Sequence, residues 1–156
     1  MSLALGQMIP TFSLPATSDT TVCHNDLEGH YTVLYFYPKD STPGCTTEGL
    51  DFNERLQQFA ALNCKIFGVS MDSIRRHENF KAKQGFEFEL ISDPEAELCN
   101  AMGVYQLKKN FGKEYMGIVR STFLFNSSGK LIHIWDKVKV KGHAQEVLER
   151  LKAAQA

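Results

Sequence analysis

Hydrophobic and polar positions along this chain alternate between two periods. Residues 31–37 form a near-continuous apolar and β-branched run, and 65–70 form another; such runs predict strands buried on both faces. Between them Phe52, Leu56 and Phe59 recur at helical spacing, while Asp51, Asn53, Glu54, Gln57 and Gln58 face outward, which predicts a helix over 43–62. Thr42 suits its N-cap and Pro43 its first position. A second helix over 73–84 stops at Gly85. Residues 86–91 read as a short strand, and Asp93-Pro94 opens a third helix that ends near Gly103. Residues 104–119 read as a long polar, glycine-containing excursion. Strands over 121–125 and 131–135 flank Asn126-Ser-Ser-Gly129, a hairpin turn signal. The last element, over 143–154, is an amphipathic helix with Val147, Leu148 and Leu151 on its apolar side.

Two short β-prone stretches, 9–15 and 21–23, precede all this and predict an N-terminal hairpin. The remaining order is β-α-β-α-β-α-β-β-α. Helices alternating with buried strands indicate an α/β sheet, and the terminal hairpin makes it mixed. A thioredoxin-like architecture fits this order. At 156 residues, with no repeats, low-complexity tracts or linkers, the chain reads as one domain over 1–156.

Composition narrows the function classes. A net charge of −1 leaves no basic excess to neutralise nucleic-acid phosphates or an acidic membrane surface. No apolar run approaches the roughly 20 residues that span a bilayer. The first ten residues lack a basic segment and a long apolar core, so no signal peptide is expected and the cytoplasm is the expected compartment. The four cysteines, Cys23, Cys45, Cys64 and Cys99, include no Cys-x-x-Cys pair and no metal-ligand spacing, so neither a structural disulfide nor a metal centre is expected.

Cys45 is the candidate for chemistry. It stands where a buried strand has ended, a turn containing Pro38 has passed and a helix begins. Unpaired N–H groups and the helix dipole in a first helical turn stabilise a thiolate. Thr42, three residues earlier, places a hydroxyl near the sulfur. Pro38 and Pro43 fix the loop, Gly44 lets a ligand approach the backbone, and Glu48 lies on the same helical face as Cys45, placed to orient a cation. The competing reading is a small buried hydrophobe, the commonest state of a cysteine.

The string Tyr35-Phe-Tyr-Pro-Lys-Asp-Ser-Thr-Pro-Gly-Cys-Thr-Thr-Glu48 resembles the active-site segment of the peroxiredoxins, most closely the bacterioferritin comigratory, or Q-type, branch. Gly68-Val-Ser-Met-Asp-Ser73, Ile91-Ser-Asp-Pro-Glu95 and Arg120-Ser-Thr-Phe-Leu-Phe125 resemble it too, so the similarity runs from about Gly6 to the last helix. The resemblance implies a thioredoxin-like fold and a thiol-dependent peroxidase without cofactor. It also implies site roles. Cys45 would be the peroxidatic cysteine, attacking hydrogen peroxide or an organic hydroperoxide and becoming a sulfenic acid. Thr42 would bind the peroxide, Pro38 would shield the site, and Arg120 would stabilise the thiolate and the charge developing on oxygen. Glu48 would hold the arginine. A monomer is implied as well.

Regeneration departs from the family pattern. Where many Q-type members carry a second cysteine five residues on, this chain has Leu50, and residues 73–84 contain none. A one-cysteine cycle with an external thiol (thioredoxin, glutaredoxin or glutathione) is the expectation; a two-cysteine cycle through Cys99 is the alternative. A thioredoxin-type disulfide exchanger lacks its Cys-x-x-Cys here. A non-catalytic binding or chaperone module of the same fold also stays open. The five histidines share no spacing and are expected to be solvent-facing or internally satisfied. Lys137, Lys139 and Lys141 alternate with valine, as on an exposed strand edge guarded against aggregation.

Overall fold

A computed structural model describes residues 3–156; Met1 and Ser2, part of the stretch read as lacking a signal peptide, lie outside the described residues. The N-terminal hairpin forms as expected from β1 (Ser13–Ala16) and β2 (Thr20–Cys23). The two apolar runs become β3 (Tyr31–Phe36) and β4 (Cys64–Ser70), parallel neighbours in register from Tyr31 opposite Cys64 to Phe36 opposite Val69. Helices α1 (Pro43–Glu54) and α2 (Leu56–Ala61) connect them. α3 (Ile74–Gln84) leads to β5 (Glu89–Ser92), and α4 (Glu97–Ala101) follows. β6 (Tyr105–Asn110) and β7 (Lys113–Ile118) pair only with each other. β8 (Ser121–Phe125), β9 (Leu131–Trp135) and α5 (His143–Gln155) complete the chain.

The seven-stranded sheet has the order β2-β1-β5-β4-β3-β8-β9 and is mixed, with β3, β4 and β5 parallel and the rest antiparallel. Alternation along β3 sends Val33 and Tyr35 to one face and Leu34 and Phe36 to the other, and each face has its own core. The first holds Phe52, Phe59, Phe80, Leu148 and Leu151, from α1, α2, α3 and α5. The second holds Leu98 and Cys99 of α4 together with the N-terminal Ile9, Phe12 and Leu27. Steps from β3 to β4 to β5 move across the sheet in one direction, so right-handed crossovers put α1, α2 and α3 on one face. The carboxyl ends of three parallel strands then open onto one edge, which is where such sheets present their chemistry.

Four expectations are corrected. The helix over 43–62 breaks at Arg55, whose guanidinium bonds back to the Asp51 carbonyl at 2.9 Å and to Gln145 of α5 at 2.9 Å. The helix after Asp93-Pro94 starts only at Glu97, because Ala96 sits at φ 56°, left-handed. The polar excursion over 104–119 is a hairpin. Its two-residue turn, Phe111 at φ 51° and Gly112 at φ 78°, has the type I′ pattern that matches strand twist. Finally, Lys137, Lys139 and Lys141 lie in a loop rather than a strand; Lys137 is left-handed at φ 48°, and the Val138 N–H donates to the Arg120 carbonyl at 2.9 Å. No helix among the described residues is long and apolar enough to cross a membrane.

Candidate active site

Local chemistry of the segment after β3 places Cys45. Tyr37 ends the strand's burial, and the turn 38–42 carries Ser41 at φ 63°. Pro43 then starts α1 with Thr42 as its N-cap. The Thr42 hydroxyl does not close the cap; it donates to the Lys39 carbonyl at 2.8 Å. The early amides of α1, at Gly44 and Cys45, lack intrahelical acceptors by position. Cys45 therefore lies in the first turn of a twelve-residue helix, on the side packed against β3, and is only 2% exposed.

Arg120 precedes β8, whose Ser121 lies opposite Phe36 at the end of β3. That register delivers the guanidinium to the start of α1. Its Nη2 donates to Cys45 Sγ at 3.4 Å, and its Nη1 donates to Glu48 Oε1 at 2.5 Å. Gly44 makes room for the approach: a Cβ there would stand 3.1 Å from Arg120 Nη2. Burial works against the guanidinium's charge, but Glu48 and Cys45 outweigh it and strengthen its hold on the proton. Thr42, Gly44, Cys45, Glu48 and Arg120 thus converge on one end of α1, with Pro43 forming the helix start. Pro38 is exposed in the turn before α1.

Glu48 is 1% exposed, and burial pushes its carboxyl up to about 7 despite Arg120. Its Oε2 has no partner, so half of the carboxylate's hydrogen-bonding capacity is unmet. Between pH 4.5 and 7 the folded state therefore holds a proton that the unfolded chain has released. Stability should fall as pH rises through that window, on the order of 1–3 kcal/mol. Urea unfolding of wild type and Glu48→Gln at pH 5 and 7.5 checks this: the substitution should flatten that part of the profile, and an equally steep profile in the variant would refute the assignment.

His143, near Arg120, is lowered to about 4 by burial and by the guanidinium, and its Nε2 meets the Thr122 hydroxyl at 2.8 Å. It is neutral at pH 7 and satisfied internally.

The other cysteines lie elsewhere. Cys64 opens β4 opposite Tyr31, five residues or roughly 17 Å from the end of β3 that leads to Cys45. Cys99 packs in the core of the opposite sheet face. Cys23 ends β2, four strands from β3 and roughly 19 Å away. Disulfide formation needs Cα atoms within about 7 Å. Burial pushes the Cys64 thiol up to about 12, and raises Cys99 further with Asp93 adding to the effect. Cys99 is midway along α4, in the core on the other face of the sheet from Cys45.

A second polar cluster lies behind the turn and was not read from the sequence. Asp40, Asp72 and His77 bring ligand-type atoms within 4.8 Å of one another. Both oxygens of Asp72 and both nitrogens of His77 have hydrogen-bond partners, in Arg76, Ser70, Asp40 and the Ile91 carbonyl. Its sequence signal was slight, an aspartate between two prolines and a histidine at an apolar helical position.

The profile of the AhpC/TSA family matches residues 5–134. Peroxiredoxin Bcp of Bacillus subtilis is 51% identical over 152 residues, covering 97% of both chains. Peroxiredoxin Bcp of Xanthomonas campestris is 53% identical over 148 residues, covering 92% of this chain and 91% of that one. A solved structure of the Xanthomonas campestris bacterioferritin comigratory protein, described for its alkyl peroxide reduction activity, superposes with a TM-score of 0.89 at 50% identity over 93% of this chain and 92% of that one. A Xylella fastidiosa PrxQ mutant superposes at 0.95 with 42% identity, over 100% and 99%.

Proposed function

Because the chain belongs to the AhpC/TSA family and is a thiol-dependent peroxidase of the peroxiredoxin type, we propose that Cys45 is its peroxidatic cysteine and that an external thiol restores it. The observation that carries this reading is the donation from Arg120 Nη2 to Cys45 Sγ at the start of α1.

The Cys45 thiolate attacks one oxygen of R–O–O–H. A sulfur–oxygen bond forms, the O–O bond breaks, and the other oxygen leaves as water or alcohol once protonated. Cys45 becomes sulfenic acid, two electrons poorer. Negative charge moves from sulfur to the departing oxygen, and preset donors along that path lower the barrier. Arg120 is aimed at the sulfur. Gly44 and Cys45 contribute amides, and the Thr42 hydroxyl orients the peroxide. Glu48 keeps the guanidinium turned toward Cys45. Pro38 shields the sulfur from water, and Pro43 fixes the helix start. Hydrogen peroxide and organic hydroperoxides are the expected substrates, in keeping with the alkyl peroxide activity of the Xanthomonas relative.

We read the whole chain as one domain acting as a cytoplasmic monomer. A first reductant thiol condenses with the sulfenic acid, releasing water and leaving a mixed disulfide; a second thiol displaces Cys45. The positions of Cys23, Cys64 and Cys99 support this cycle. Intact mass measurement after one equivalent of peroxide, without added thiol, tests it. A gain of one oxygen is expected, located at Cys45. A loss of two hydrogens would replace the one-cysteine cycle with an internal disulfide, and an unchanged mass would remove Cys45 from the reaction. Glutathione, glutaredoxin and thioredoxin can then be compared as reductants of the oxidised form.

A further inference from the structure

Asp40 stands in the turn that separates Pro38 from Thr42, yet its side chain points inward and is 2% exposed. Its Oδ1 accepts from Tyr37 Oη at 2.6 Å, and its Oδ2 lies 2.6 Å from Nδ1 of His77 on α3. His77 is fully buried, and its Nε2 is 2.9 Å from the Ile91 carbonyl. A carbonyl only accepts, so Nε2 carries a hydrogen. One further hydrogen then lies between Nδ1 and Oδ2, and on either atom the pair is neutral overall and fully satisfied.

The backbone of the same residue is fastened as well. The Asp40 N–H donates to Asp72 Oδ2 at 2.9 Å, and that oxygen also accepts from Ser70 Oγ at 2.6 Å. One residue of the turn is therefore tied to the end of β3, to α3 and to the turn after β4. These ties brace a segment whose next residue, Ser41, is a left-handed non-glycine at φ 63°, a conformation that persists only where the surroundings impose it. Thr42 follows directly, its hydroxyl anchored to the Lys39 carbonyl inside the same turn.

With Cys45 read as the group that attacks peroxide, the geometry points to the Asp40–His77 pair as a positioning device for that step. Neither side chain reaches the substrate. The pair holds the turn so that the Thr42 hydroxyl and the first amides of α1 face one point above the sulfur. Loosening it leaves the sulfur and Arg120 in place but scatters the groups that orient R–O–O–H, and misplacement of about 1 Å is enough to cost a large factor in rate.

Two substitutions of similar size separate this role from simple packing. In His77→Asn the side-chain amide stands near Nδ1 and keeps the Asp40 bond while losing Ile91. In His77→Gln the amide reaches toward Nε2, keeps Ile91 and loses Asp40. Asp40→Asn preserves both of its side-chain bonds, donating to neutral His77 and accepting from Tyr37, and tests whether charge matters. Two rates are read for each: oxidation of Cys45 by hydrogen peroxide, and alkylation of Cys45 by iodoacetamide, which needs only the sulfur.

His77→Gln should oxidise at least tenfold more slowly than wild type, and His77→Asn and Asp40→Asn within threefold of it. Alkylation should stay within threefold throughout. Equal losses in the two His77 variants, in rate or by unfolding, would reduce the histidine to packing. A fall in Asp40→Asn as deep as in His77→Gln would make charge the agent. Parallel loss of alkylation would mean the pair acts on the sulfur itself. Each of those three outcomes overturns the assignment. Wild type that fails to oxidise at Cys45 would instead refute the reading of the site.

Discussion

Cys45→Ser should leave a folded protein that consumes no peroxide. The substitution exchanges sulfur for a smaller oxygen in a first helical turn that tolerates serine, so the fold should persist. Chemistry should not. A serine hydroxyl is a weak nucleophile at its ordinary pKa, and among the described residues no histidine hydrogen-bonds to residue 45 to activate it: His143 bonds to Thr122 and His77 to Asp40. Peroxide consumption with dithiothreitol as reductant should drop to the uncatalysed background, while the Cys64→Ser and Cys99→Ser variants turn over normally. Turnover surviving in Cys45→Ser would move the reaction to another residue, and the functional reading of α1 would fail with it.

Loss of the Arg120 guanidinium should have the next largest effect. Removing one donor aimed at a developing charge typically slows a reaction about 10²–10³-fold, and Arg120 touches the sulfur directly at 3.4 Å. Arg120→Ala should lower the second-order rate of Cys45 oxidation by that factor. It also leaves Glu48 buried with no cation beside it. The Glu48 carboxyl, raised to about 7 even beside Arg120, then keeps its proton at neutral pH, so the loss of Arg120 adds a stability cost through Glu48 chiefly as pH rises above 7. Arg120→Ala should therefore be slow at pH 7 and, in urea unfolding at pH 9, less stable as well. The double variant Arg120→Ala with Glu48→Gln removes the ionisable group; at pH 9 it should regain stability without regaining rate, which separates the two consequences. Arg120→Lys should recover little, because one ammonium cannot fork between Glu48 and Cys45 as a guanidinium does. An oxidation rate within threefold of wild type in the stabilised double variant would exclude Arg120 from the reaction.

Much of this molecule was legible in the order of its residues. β3 and β4 announced themselves as apolar runs because strands covered on both faces have no polar alternation to confuse the signal. Pro43 and Gly85 bounded their helices by backbone restrictions that act locally. The prominence of Cys45 came from the same kind of information, a helix start following a buried strand. The β6–β7 hairpin escaped because its turn opens with Phe111 where asparagine or glycine is the usual cue, and because its strands carry mostly exposed side chains. The break at Arg55 escaped because the partner that favours it, Gln145, is 90 residues away.

The sequence by itself determined the buried strands β3 and β4 and most of the helices, that a cysteine opens α1, and the thiol peroxidase family to which the chain belongs. Tertiary structure alone decided what surrounds that cysteine. Family resemblance singled out Arg120, but only the antiparallel pairing of β8 with β3 carried it 75 residues back to the sulfur. Asp40 and His77, 37 residues apart, met only when α3 packed over the end of β3. Cys99 came to lie in the core on the other face of the sheet from Cys45. The reason is physical: helix starts and buried strands are set by interactions within a few residues, whereas the environment of a side chain is set by which elements the sheet brings alongside it.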